Sequence, residues 1–139
     1  MERVLIAYAG SAGVGEIALV IGEQLCRAGL GVDVRSVARA ADPDAYAAVV
    51  VGSTCREGRW AADAASYLNT HRVALAGRPL WLYERSTPGA GGDRVAPAAP
   101  LLEGVELPVR FGPDDLAQAR SWGFNLGCQI RPLATPCLR

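Results

Sequence analysis

The stretch RVLIAYAGSAGVG, residues 3–15, begins as a strand and ends as the start of a helix. Val4, Leu5, Ile6, Ala7 and Tyr8 form an apolar run, a turn follows with Gly10, Gly13 and Gly15, and a helical pattern sets in at Glu16. Unbroken hydrophobicity of this kind marks a parallel strand covered by helices on both faces. Glycines let the backbone turn sharply and come close to a ligand, while the N–H groups at a helix start attract a phosphate. Together the three pieces read as an anion cradle.

Outward from the cradle, residues 16–28 place Ile17, Val20, Ile21 and Leu25 on one helical face and Glu23, Gln24 and Arg27 elsewhere. Gly29 and Gly31 stop this helix. Val32, Val34 and Val37 supply a second strand, and Asp42-Pro43-Asp44 marks a turn or short helix start in a connection too short for a long helix. YAAVVVG, residues 46–52, is the most apolar strand and belongs at the centre. Residues 53–60 then read as a polar loop, which a parallel sheet sets beside the glycine turn. Trp60, Ala64, Ala65 and Leu68 recur at helical spacing up to His71, and Leu80-Trp81-Leu82-Tyr83 follows as a fourth strand.

Residues 84–100, rich in Gly, Pro and Ala, read as a long mobile loop. Residues 105–111 read as a fifth strand, and Pro108 puts it at the sheet edge. Pro113-Asp114-Asp115 signals a short helix to about Trp122, and residues 123–139, with Pro132 and Pro136, read as an irregular C-terminal tail. The sum is one α/β domain, residues 1–139, with five strands and the first and third adjacent near its centre.

Composition removes several function classes. The 139 residues are 50% hydrophobic and 20% charged, with fourteen charges of each sign, so the basic footprint of a nucleic-acid binder is missing. No apolar run approaches the ~18 residues of a membrane span, and the opening Met-Glu-Arg is unlike a signal peptide. The expectation is a soluble cytoplasmic protein. His71 is the only histidine, and Cys26, Cys55, Cys128 and Cys137 form no CxxC pair, so they read as reduced thiols with no metal site. Cys26 reads as a core residue, and Cys55 is the cysteine best placed for chemistry. His71 is expected at a helix end, and Trp122 and Phe124 as caps on the sheet.

IAYAGSAGVGEIA resembles the phosphate loop of flavodoxins, in which Ser/Thr-x-Thr-Gly-x-Thr follows a strand ending in Tyr. It aligns without gaps on Gly10, Ser11, Ala12, Gly13, Val14 and Gly15. DAYAAVVVGSTCREGRW, followed by LAGRPLWLY, is similar to the flavodoxin-domain family that includes the menaquinone-type protoporphyrinogen oxidase. The likeness spans about the first ninety residues.

The resemblance implies a flavodoxin-like three-layer fold, a five-stranded parallel sheet of order 2-1-3-4-5, and FMN held by three loops. The phosphate would sit on Gly10, Ser11, Ala12, Gly13, Val14 and Gly15. The flavin ring would lie between Ser53, Thr54, Cys55, Arg56, Gly58, Arg59 and Trp60 on one side and Ser86, Thr87 and Gly89 on the other. Trp60 reads equally as a core aromatic. The chain departs from the pattern at all three hydroxyl positions, which are Gly10, Ala12 and Gly15, leaving only Ser11 between them. A hydroxyl bonded to a charged phosphate contributes ~1.5–3 kcal/mol, so the motif is weakened.

Three functions fit these residues. The first is an FMN-binding protein that transfers electrons to a redox partner protein or works as a small flavin-dependent oxidoreductase, with no catalytic side chain assigned. A flavodoxin fold that has lost FMN and binds another phosphate-bearing ligand or a protein is the second. The third is an NAD(P)-dependent reductase, because Gly10, Gly13 and Gly15 approximate a dinucleotide fingerprint and Arg35 or Arg39 lies where a 2′-phosphate would be met.

Overall fold

The computed structural model describes residues 3–10, 13–40, 42–56, 59–86, 109–111 and 115–134. β1 (Arg3–Ala9) runs between β2 (Gly31–Ser36) and β3 (Ala48–Arg56), parallel to both. β3 pairs in parallel with β5 (Leu80–Ser86), and β5 with β6 (Val109–Phe111), giving the order β2-β1-β3-β5-β6. A two-residue strand, β4 (Arg59–Trp60), folds back antiparallel on the end of β3. With β4 set aside, this is the 2-1-3-4-5 order expected from the sequence.

Strand side chains point alternately to opposite faces, and the core divides accordingly. Val4, Ile6 and Val50 face α1 (Val14–Arg27) and α4 (Leu116–Ala134), packing with Ile17, Ile21, Leu25, Leu126 and Ile130. Leu5, Ala7, Val49, Val51 and Leu82 face α2 (Ala62–Thr70) and α3 (Arg72–Ala76), packing with Ala64, Leu68 and Leu75. Each fully buried Leu or Ile contributes about 1.5–3 kcal/mol. The two apolar layers hold the sheet between them.

At the amino edge of the sheet the link from β2 to β3 includes a 3₁₀ turn, Pro43–Ala45, where Asp44 N–H donates to the Asp42 carboxylate at 3.1 Å. Arg78 closes this edge. It donates to the carbonyls of Ala74, Pro43 and Tyr46 at 2.7, 2.6 and 2.7 Å and to Asp44 at 3.0 Å.

Five expectations are corrected. Residues 84–86 are not the start of a loop but the end of β5, because their backbone is paired with β3 and β6. Residues 53–56 are not loop but the end of β3, because their backbone is paired with both β5 and β4. Residues 123–134 are not irregular tail but the larger part of α4, whose buried Ala119, Gly123, Leu126, Gly127 and Ile130 recur at helical spacing along α1. Cys26 is exposed, because Leu25 takes the inward position and the next residue turns away from it. Phe124 is 61% exposed on α4 and does not cap the sheet.

Trp122 does pack there, edge-on to Tyr83 and Phe111 with ring centroids 6.1 and 5.8 Å away. His71 caps the α2–α3 junction against the Tyr67 ring. The rest of the expected loop, residues 87–100, the first part of the fifth strand, Pro113, Asp114 and the last five residues, Cys137 among them, lie outside the described residues.

Candidate functional site

Register brings the three carboxyl ends together. Ala9 at the end of β1 is opposite Ser53 of β3, and Ser53, Thr54 and Cys55 are opposite Glu84, Arg85 and Ser86 of β5. The turn after β1, the tip of β3 with β4, and the end of β5 therefore share one edge. This is the crevice where doubly wound sheets bind ligands.

Gly10 and Gly13 have φ of +103° and +91°, a conformation that residues with a Cβ rarely adopt. Gly13 is the residue before the first turn of α1, and its carbonyl accepts from Ile17 N–H at 3.0 Å. Having no side chain, it cannot cap that turn itself. Val14 is a core residue, and its carbonyl accepts the Tyr83 hydroxyl at 2.9 Å, which ties the start of α1 to β5 across the sheet. Tyr83 has room because its partner in register is Gly52, where any Cβ would fall within its ring. Burial drives the Tyr83 hydroxyl pKa far up, which keeps it a neutral donor. Gly15 lies in the first turn beside Tyr8, whose ring would be 3.3 Å from a Cβ there.

On β3, side chains alternate between floor and surface. Ser53 is fully buried; its hydroxyl donates to the Thr54 carbonyl at 2.8 Å and accepts from Ala61 N–H at 2.9 Å, fixing the start of α2. Cys55 and Trp60 are buried in the α2-side core. The Trp60 indole donates to the buried Glu84 carboxylate at 3.2 Å. Thr54 points to the other face, toward Gly10.

Of the residues expected at the site, then, Gly10, Gly13, Gly15 and Thr54 gather at the surface of the edge. Val14, Ser53, Cys55 and Trp60 build its floor. Arg56, Arg59 and Ser86 are placed by their backbone at the ends of β3, β4 and β5. Ser11, Ala12, Gly58, Thr87 and Gly89 lie outside the described residues. Arg35 and Arg39 line a hollow with Tyr8, Val34 and Ser36 at the end of β2.

Two residues were missed by the sequence reading. Glu84 is a buried carboxylate beneath β4, and Arg85 reaches from β5 to Gly13. Both belong to the carboxyl end of β5, just past the four residues read as the fourth strand, and polar residues at the carboxyl end of a parallel strand were the available signal.

The sequence matches the flavodoxin domain over residues 5–88, more than half of the chain. The chain belongs to the flavodoxin domain family. No curated protein matches it. Among solved structures, this flavodoxin-domain chain is similar to a flavodoxin from the domain Archaea, at 13% identity and a TM-score of 0.70, covering 93% of this chain and 99% of that one. Flavodoxin 2 from Bacillus cereus gives 18% identity and a TM-score of 0.60, with 92% and 97% covered. Rubredoxin oxygen:oxidoreductase from Desulfovibrio gigas gives 14% and 0.70, and there 97% of this chain corresponds to 37% of the other. At these identities the shared property is the fold. Among the described residues no helix is long and apolar enough to cross a membrane.

Proposed function

We propose that this flavodoxin-domain chain binds FMN at the carboxyl edge of its sheet and carries electrons to and from a redox partner protein. The observation that supports this most is the alignment of three strand ends, β1, β3 and β5, behind a glycine turn that opens a helix. The residues fit a phosphate at that turn. Positive φ at Gly10 and Gly13 bends the backbone away from the space above it, and the first N–H groups of α1 supply donors and a favourable dipole.

When bound, FMN supplies the one- and two-electron redox chemistry. The chain's own residues hold and orient it. Gly10, Gly13 and the first turn of α1 would take the phosphate. Thr54, Arg56, Gly58 and Arg59 would flank one side of the ring, and Ser86, Thr87 and Gly89 the other. Tyr83 keeps the cradle in register through its bond to Val14, and Trp60 with Glu84 stiffens the floor beneath the tip of β3. The particular likeness to the menaquinone-type protoporphyrinogen oxidase rests on the sequence resemblance alone, and no substrate is assigned.

The test is a titration of the purified protein into FMN. Binding quenches or shifts the flavin fluorescence and saturates with a one-to-one endpoint. Unchanged fluorescence at high micromolar protein overturns the proposal.

A further inference from the structure

The phosphate-loop pattern places hydroxyl side chains where this chain has Gly10, Ala12 and Gly15. Side chains from the neighbouring strands stand close to the described part of that loop. A Cβ built on Gly10 would fall on Thr54 Oγ1, with Thr54 Cγ2 and Cβ at 2.7 and 2.9 Å. One built on Gly13 would fall on Arg85 Nε, with Cδ and Cζ at 2.9 and 3.0 Å. The space that side chains at 10 and 13 would need is thus filled by a hydroxyl from β3 and a guanidinium from β5. Thr54 and Arg85 are themselves opposite each other in register.

We propose that the donors for the ligand's phosphate have moved from the loop to the strand ends, with Arg85 as the charged partner and Thr54 as the hydroxyl partner. This rests on the FMN reading above. Backbone amides alone face a local opponent, because Glu16 places a negative charge in the first turn of α1. A guanidinium offsets that charge and offers five N–H donors in a planar fork suited to phosphate. Arg85 also has a contact of its own within the protein. The same arrangement bears on the departure at residue 10, while residue 13 is glycine in the pattern itself. A serine or threonine at residue 10 would displace the Thr54 side chain, and any side chain at residue 13 would displace Arg85.

The experiment compares FMN with riboflavin, which has the same ring system and lacks the phosphate. The readout is the ratio of the two dissociation constants for the wild-type chain and for Arg85→Gln, Arg85→Lys and Thr54→Val. A melting curve of each variant confirms folding. The wild type is expected to prefer FMN. Arg85→Gln should cut that preference about 10- to 100-fold, the range of a lost charge-assisted hydrogen bond, by weakening FMN and leaving riboflavin unchanged. Arg85→Lys should retain part of the preference, which should also shrink as salt is raised. Thr54→Val should have a smaller effect of the same kind.

If Arg85→Gln binds FMN as well as or better than the wild type, Arg85 merely fills the corner and the inference is overturned. If the wild type binds neither flavin, the FMN reading itself fails. If it binds both equally, that reading survives and the relocated donors do not.

Discussion

Tyr83 shows how much one side chain can do in a sheet this small. It is fully buried, lies over Gly52, and uses its hydroxyl to fix the first turn of α1. Tyr83→Phe keeps the ring and removes the hydrogen bond to Val14, so the expected cost is about 1 kcal/mol, read as a lower urea midpoint with an unchanged slope. Gly52→Val should cost more, about 1–3 kcal/mol, because the new methyls must displace the ring. Neither effect was legible in the sequence. Tyr83 reads there only as the last residue of an apolar strand, and its partner is 69 positions away, joined by topology and not by local pattern. The same is true of Arg85, whose neighbour Gly13 belongs to the opposite end of the matched region. Gly10 and Gly13, in contrast, announced their backbone role directly, as glycines in the turn between a strand and a helix.

Among the elements, α4 departs most from its sequence pattern. Gly123 and Gly127 look like helix breakers, yet at both α4 packs tightly against α1. A Cβ on Gly123 would be 3.1 Å from Ile21 Cα, and one on Gly127 would be 3.0 Å from Ala28 Cβ. Helix propensity was overridden by close packing, which is why a hydrophobic period was hard to see: three of the five buried residues described on that face are Ala or Gly. Gly123→Val should destabilise the protein by about 1–3 kcal/mol through overpacking, despite the gain in propensity. Thermal unfolding by circular dichroism measures it, with Asn125→Ala on the exposed face as the neutral control. β3 erred the other way. Ser53–Cys55 carry polar side chains suited to a loop, but two neighbouring strands claim their backbone, so the strand outlasts its hydrophobic pattern. β1, α1 and β2 were legible because each carries a clear apolar pattern of its own.

For the molecule as a whole, the pH range of stability follows from groups whose titration differs between the folded and unfolded chain. Asp33 is held below its usual 3.8, first by the hydrogen bond from the Tyr46 hydroxyl at 2.7 Å and then by the charges of Arg3 and Arg35, against the opposing effect of burial. A lowered carboxylate stabilises the fold above the unfolded value, so this contribution is present above about pH 4 and is lost as the pH falls through the lowered native value. At the alkaline end, burial pushes the Tyr67 hydroxyl up to about 12 and raises Tyr46 and Tyr83 as well. A raised tyrosine stabilises fully below its unfolded value of 10.0 and loses that contribution as the pH climbs through the native one. All fourteen basic residues are arginine, so no lysine titrates in that window. Urea midpoints should therefore hold between about pH 5 and 9 and fall on both sides. Tyr67→Phe should flatten the alkaline limb between 10 and 12.

The three rings of Tyr83, Phe111 and Trp122 carry a consequence for where this protein can be divided. They join the last strand of the matched segment to the strand and helix that come after it, with Tyr83 and Phe111 centroids 6.0 Å apart. The limit at residue 88 is thus a boundary of resemblance and not of architecture. A fragment severed there would forfeit an aromatic seam together with the helical lid on one side of its sheet, and would expose greasy surface in place of a finished core.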